Sequence, residues 1–184
     1  FENIDFDSWE NSYKVNLLNP LRAIHKLLPL RSSNSSVIFF AGGGVNGVTD
    51  AFSAYTSSKI ALIKTVELLD SEVSDAKFTI IGPGWIKTKI HSETLMNKES
   101  SPTAYIETMR RLSSDNFGSM EDLMSFIDWS FDQGKEIVGG RNLSLQHDCW
   151  RGALSEILES NSDFGKLRRY GNDALRNNCK ADIT

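Results

Sequence analysis

Cysteine is scarce in this 184-residue chain: Cys149 and Cys179 stand far apart, with no C-x-x-C pattern and no histidine at ligand spacing. Neither a disulfide scaffold nor a structural zinc site is therefore expected. No apolar run approaches the ~18 residues that span a bilayer, so no membrane segment is expected among these residues. Phe1-Glu2-Asn3-Ile4-Asp5 has neither the basic nor the apolar region of a secretory signal, which makes the cytoplasm the expected location. Charge of one sign is lacking too. Twenty Lys plus Arg stand against 24 Asp plus Glu, a net charge of −4 with no long block of either sign, so neither nucleic acid nor an anionic membrane is an expected partner. His25, His91 and His147 have no carboxylate or thiol at ligand spacing, and no metal is expected. An initiator methionine is absent as well, and the acidic, aromatic opening reads as the interior of a longer sequence.

What is present is an ordinary globular composition, 40% apolar and 24% charged, sufficient for one hydrophobic core. From Trp9 to Leu30 the apolar residues recur mostly at spacings of three and four, the helical period. Asp7 or Ser8 is the expected N-cap of this helix, and Pro20 predicts a kink near Asn16 because it removes one ladder hydrogen bond. Val37-Ile38-Phe39-Phe40-Ala41 reads as a strand buried on both faces. A helix from about Ser53 to Val73 follows, then a strand Lys77-Phe78-Thr79-Ile80-Ile81 that Gly82-Pro83-Gly84 must end. Residues 90–117 are polar and broken, with one helix near Tyr105 to Leu112. Ser119 opens a helix through Phe131, and a last short strand is expected at Asn142 to Gln146. Helix is expected again at Ala153 to Glu159, with looser chain after it. Strands separated by helices indicate an α/β layer structure with a mainly parallel sheet, over residues 1–150, and a charged, partly helical tail over 151–184.

In such sheets ligands bind beyond the carboxyl ends of the strands, and three segments stand there. Gly42-x-Gly44-x-x-Gly47 matches a dinucleotide fingerprint in letters. Its helix starts too late to aim amides at a pyrophosphate, so it reads as an active-site turn. Tyr55-x-x-x-Lys59 sets a phenol and an ammonium one helical turn apart, a pair suited to acid/base work because a nearby cation stabilises phenolate. Gly82-Pro83-Gly84-Trp85-Ile86-Lys87-Thr88 offers glycines that let a flat ligand approach, an indole that would wall a pocket or join the core, and a hydroxyl.

Together these segments resemble the short-chain dehydrogenase/reductase family, with its Tyr-x-x-x-Lys helix and its Pro-Gly turn after the next strand. The resemblance runs from about residue 5 to residue 150. It takes in Tyr13-Lys14-Val15-Asn16-Leu17, similar to the helix carrying a catalytic asparagine, and Gly139-Gly140-Arg141-Asn142-Leu143-Ser144, similar to the last glycine turn and strand. It implies a doubly wound, Rossmann-like parallel sheet of which only the later strands and helices are here. It also implies NAD or NADP as cofactor, a small carbonyl or alcohol substrate, and a homodimer or homotetramer. In the implied roles Tyr55 exchanges the substrate proton, Lys59 lowers the phenol's pKa and bonds the nicotinamide ribose, and Asn16 holds a relay water. Pro83, Gly84, Ile86 and Thr88 hold the nicotinamide.

Two departures stand out. The family's glycine-rich pyrophosphate turn has no counterpart before Phe1, so weak cofactor binding by these residues alone is expected. The family's carbonyl-polarising serine falls at Gly42, which has no hydroxyl. The amides of Gly43 and Gly44, the Asn46 side chain and the Thr49 hydroxyl are the candidate replacements. The competing expectations are a non-catalytic dinucleotide-binding or interaction protein and an inactive fragment.

Overall fold

The computed structural model describes residues 1–2, 4–48, 51–86, 95, 102–114 and 117–169. Thr49, Lys87, Thr88, His91 and Cys179 lie outside them. Three parallel strands form one sheet in the order β1 (Ser35–Phe40), β2 (Ala76–Gly82), β3 (Asn142–Ser144). The parallel neighbours expected from the apolar runs are the ones observed.

β2 is the centre of the sheet. Phe78, Ile80 and Ile81 are fully buried, because helices cover both faces and a strand lies on either side. β1, expected to be buried on both faces, is mostly half-buried with Phe40 exposed, since among the described residues it pairs only with β2. β3 ends two residues early: the Asp148 carboxylate takes the Ser144 amide at 2.7 Å and turns the chain.

One face carries α1 (Phe6–Tyr13), α2 (Asn19–Leu27) and α3 (Ser53–Glu72), with Leu17, Leu21, Leu62, Ile63 and Val66 packed on Phe39, Phe78 and Ile80. Asp5, rather than Asp7 or Ser8, caps α1. Its carboxylate accepts from the amides of Asp7 and Ser8 at 3.3 and 3.2 Å, and the extended backbone of Asp5 places it one step ahead of the first turn. The kink expected from Pro20 is a π-helical turn over Lys14–Leu18, in which the Asn19 amide reaches back to the Lys14 carbonyl. Pro20 has no N–H to give Asn16, so the ladder is carried across by a wider turn.

After α4 (Pro102–Ser114), the other face carries α5 (Met120–Asp132), the short α6 (Lys135–Val138) and α7 (Leu154–Ser160). Leu123, Phe126, Val138, Leu154 and Leu158 close over Ile81 and Leu143. Ser119 caps α5 as the sequence indicates, accepting from the amides of Glu121 and Asp122.

Three cations close the carboxyl ends of helices from across the fold. Lys135 donates to the carbonyls of Asp70, Val73 and Ala76 after α3, and Lys77 to those of Ser130, Phe131 and Gln133 after α5. Arg141 does the same for Leu158, Asn161 and Phe164 after α7. Each brings positive charge to the last carbonyls of a helix, where it is favoured, and Lys135 also reaches the Ala76 carbonyl at the start of β2. No described helix is long and apolar enough to cross a membrane.

Candidate active site

The carboxyl edge of the sheet is fixed by β1–β2 pairing. Phe40 stands opposite Ile81, and the Ala41 amide donates to the Ile81 carbonyl at 2.8 Å. Gly42 therefore leaves β1 beside the Gly82-Pro83 exit of β2. The chain turns through Gly44, whose φ of +91° suits glycine. It then returns as α3, which begins only at Ser53, well past the Gly42-x-Gly44-x-x-Gly47 letters.

Tyr55 lies in the first turn of α3 and reaches back to Gly42. A Cβ built on Gly42 would collide with the Tyr55 Oη, Cζ and Cε1, so the phenol lies where a side chain would begin. Phe52 meets the Tyr55 ring edge-on at 6.1 Å and steadies it. The Tyr55 hydroxyl makes no hydrogen bond to any described residue. Burial pushes its pKa up, because phenolate loses hydration there.

Lys59, one turn later, places Nζ 6.0 Å from the Tyr55 ring centroid and donates to the Phe40 carbonyl at 2.9 Å. Burial lowers its pKa. Desolvation sets the direction at the phenol, while the Lys59 ammonium rests on the carbonyl at the end of β1.

Asn16 sits in the π-helical turn between α1 and α2, on the same side of the sheet as Tyr55, and that turn packs against α3. Its side chain is half-buried and makes no hydrogen bond among the described residues. Trp9 ties the two helices together, its indole Nε1 donating to Ser53 Oγ at 3.3 Å.

Beyond β2, Pro83 and Gly84 form the turn, and Gly84 adopts φ +70°. A side chain at Gly84 would run into Gln146. Ile86 is buried and pairs with Gly118 in a single parallel bridge, and the Gly118 amide donates to the Trp85 carbonyl at 2.7 Å. The structure thus brings Gly42, Tyr55 and Lys59 together, with Asn16 on the adjoining helix and Pro83-Gly84 at the neighbouring strand end. Thr88 lies outside the described residues.

Sequence reasoning missed Arg111, whose guanidinium stacks 4.6 Å from the Trp85 ring while Glu107 holds its Nε at 2.6 Å. The i, i+4 spacing of Glu107 and Arg111 was the available signal. It also missed Gln146 against Gly84, a contact between distant loops with no local signature.

Residues 1–99 match the family model described as short chain dehydrogenase. An uncharacterized oxidoreductase of Saccharomyces cerevisiae is 28% identical, over 60% of this chain and 52% of its own length. The chain spans about half the length of the curated relatives it matches. Among solved structures, a short chain dehydrogenase/reductase from Saccharomyces cerevisiae superposes with a TM-score of 0.72 at 21% identity, over 84% of this chain and 62% of that one. A putative D-mannonate oxidoreductase of Haemophilus influenza with bound NAD gives a TM-score of 0.58 at 20% identity, over 85% and 56%. Both likenesses are of fold.

Proposed function

This chain belongs to the short-chain dehydrogenase family, and on that premise we propose that it carries the acid/base end of an oxidoreductase. The reaction moves a hydride between a nicotinamide cofactor, NAD or NADP, and a small carbonyl or alcohol. One observation carries the proposal: a phenol with no hydrogen-bond partner among the described residues stands at the carboxyl edge of the sheet, with an ammonium one helical turn away.

The residues present fit the nicotinamide half of such a cofactor. Lys59 has three N–H donors and gives one to Phe40, leaving two for the paired hydroxyls of a ribose. The Pro83-Gly84 turn opens beside it, and Ile86 and Thr88 follow in sequence as the remaining contacts. The bound nicotinamide supplies or takes the hydride. Tyr55 gives its proton to the carbonyl oxygen in reduction and takes one from the alcohol in oxidation. Its burial keeps it protonated at neutral pH, ready as an acid. When the proton leaves, the Lys59 ammonium stabilises the phenolate, and Asn16 holds a water that refills it.

Gly42 favours a second reading, a dinucleotide-binding or interaction protein without turnover, because the residue the phenol lies against carries no hydroxyl. Nicotinamide absorbance followed with a panel of aldehydes and ketones, on the protein as its cell makes it, separates the two. Cofactor consumption that depends on the carbonyl is expected. Cofactor binding without consumption would establish the second reading.

Self-association is part of the proposal. The outer side of the α1–α2 helix leaves Val15, Leu18 and Leu27 exposed, and its ends differ in charge: Asp5, Asp7 and Glu10 at one, with Glu10 paired to Lys14 at 2.8 Å, and Arg22 and Lys26 at the other. Arg22 and Lys26 pair with no described acid. An antiparallel second copy would bury the apolar residues and match the charges.

A further inference from the structure

We infer that the backbone amide of Gly43 is the second hydrogen-bond donor to the substrate oxygen at Tyr55. The inference rests on the acid/base reading of Tyr55 and adds to it the group that polarises the carbonyl. A carbonyl oxygen has two lone pairs, and the charge that grows on it during reduction is best met by two fixed donors. The phenol is one.

Neither Gly42 nor the serines of α3 that follow Tyr55 supply a ready second. Gly42, against which the phenol lies, has no side chain. The hydroxyls of Ser57 and Ser58 are committed to carbonyls of their own helix, Ser57 to Ser53 at 2.5 Å and Ser58 to Tyr55 at 2.8 Å. The Gly43 amide begins one peptide bond from the Cα that the phenol touches, and it donates to no described residue. An unpaired backbone N–H is uncommon wherever water is displaced, and a bound substrate displaces it there.

Space agrees with this assignment. Gly43 is exposed, and a Cβ built on it meets nothing within 4 Å, so no described residue crowds it. Gly44 is less suited: a Cβ there would press on Thr56, which shows that this residue faces α3. Backbone donors need no side-chain ordering, so the turn holds its amide in place before substrate arrives.

The test compares Gly43→Pro, which removes the N–H, with Gly43→Ala, which keeps it in open space, both in the protein as its cell makes it. Acetophenone, isotopically labelled in its carbonyl, is the probe. Gly43→Ala keeps the donor and is the reference against which the loss in Gly43→Pro is read. Gly43→Pro is expected to lower kcat about 10²-fold, the usual cost of one such donor. The infrared stretch of the probe carbonyl, lowered in the unmodified protein, should return towards its solution value in Gly43→Pro.

Should the proline variant fail to fold, the unmodified protein with nitrogen-labelled glycine decides: the Gly43 amide proton resonance should move downfield when probe and cofactor are added together. An unmoved resonance, an unimpaired Gly43→Pro, or a loss that follows Thr56→Val or Asn46→Ala instead would overturn the inference. Tyr55→Phe run in parallel separates the two levels. Lost turnover there with an unimpaired Gly43→Pro sinks this inference alone, whereas full turnover in Tyr55→Phe sinks the acid/base reading on which it rests.

Discussion

The Tyr55 phenol lies against the Cα of Gly42, in the space where any side chain at position 42 would begin. The two residues come from the end of β1 and the first turn of α3, and their meeting depends on the long glycine-rich turn between them. Glycine at 42 is thus part of how Tyr55 is seated. A serine there would compete with the phenol for one volume.

Gly42→Ser is accordingly expected to destabilise the protein by roughly 1–3 kcal/mol, the range for overpacking a filled site, and to slow turnover rather than raise it. Thermal melting with steady-state kinetics checks this. A faster enzyme with an unchanged melting temperature would show that the turn adjusts to admit the hydroxyl.

Lys77 holds three carbonyls at the end of α5, Lys135 holds two at the end of α3 and that of Ala76 in β2, and Lys77 is nearly buried. Replacing either with methionine keeps the stem and removes the donors. A loss of about 2–4 kcal/mol in denaturant unfolding is expected for each, given the worth of hydrogen bonds to charged groups. A change under about 0.5 kcal/mol, as at an ordinary surface position, would show that water replaces the ammonium freely.

Arg110 and Arg111 hold the Glu107 carboxyl down to about 2, through hydrogen bonds first and charge second. A depressed carboxylate contributes stability that is complete above its ordinary value of 4.5 and is lost as pH falls towards 2. The Arg111 stack on Trp85 should therefore persist through mild acid. A carboxyl titration followed by nuclear magnetic resonance should place Glu107 near the lower value, and a midpoint near 4.5 would mean that the arginines are not engaged in solution.

Reversing Arg22 and Lys26 to glutamate should shift sedimentation towards the monomer, by setting acids opposite Asp7 and Glu10 of a second copy. Combining these changes with Asp7→Lys and Glu10→Lys should restore association. An unmodified protein that sediments as a monomer at micromolar concentration would contradict the proposed contact.

Much of this architecture was legible in the sequence because it rests on local patterns. Apolar runs marked β1 and β2, the helical period marked α1–α2 and α3, and Gly82-Pro83-Gly84 marked the end of β2. Tyr55 and Lys59 share a helix, so their spacing sufficed to pair them. The packing of Tyr55 on Gly42 was not legible, because it depends on how the end of β1 and the first turn of α3 meet in space. Nor were the helix-end roles of Lys77, Lys135 and Arg141, since each cation meets carbonyls distant in sequence. The position of the Lys59 ammonium on the Phe40 carbonyl belongs to the same class. Helical spacing sets which residues share a face, and the strand end decides where a long side chain comes to rest.

Tyr55→Phe tests the central claim most directly. The Tyr55 hydroxyl has no hydrogen-bond partner among the described residues, so its removal should leave the melting temperature almost unchanged, within about 0.5 kcal/mol of stability. Carbonyl-dependent consumption of the nicotinamide cofactor should fall by at least about 10²-fold, the lower range for a positioned proton donor. A Tyr55→Phe protein that melts as before and turns over at the unmodified rate would contradict the account.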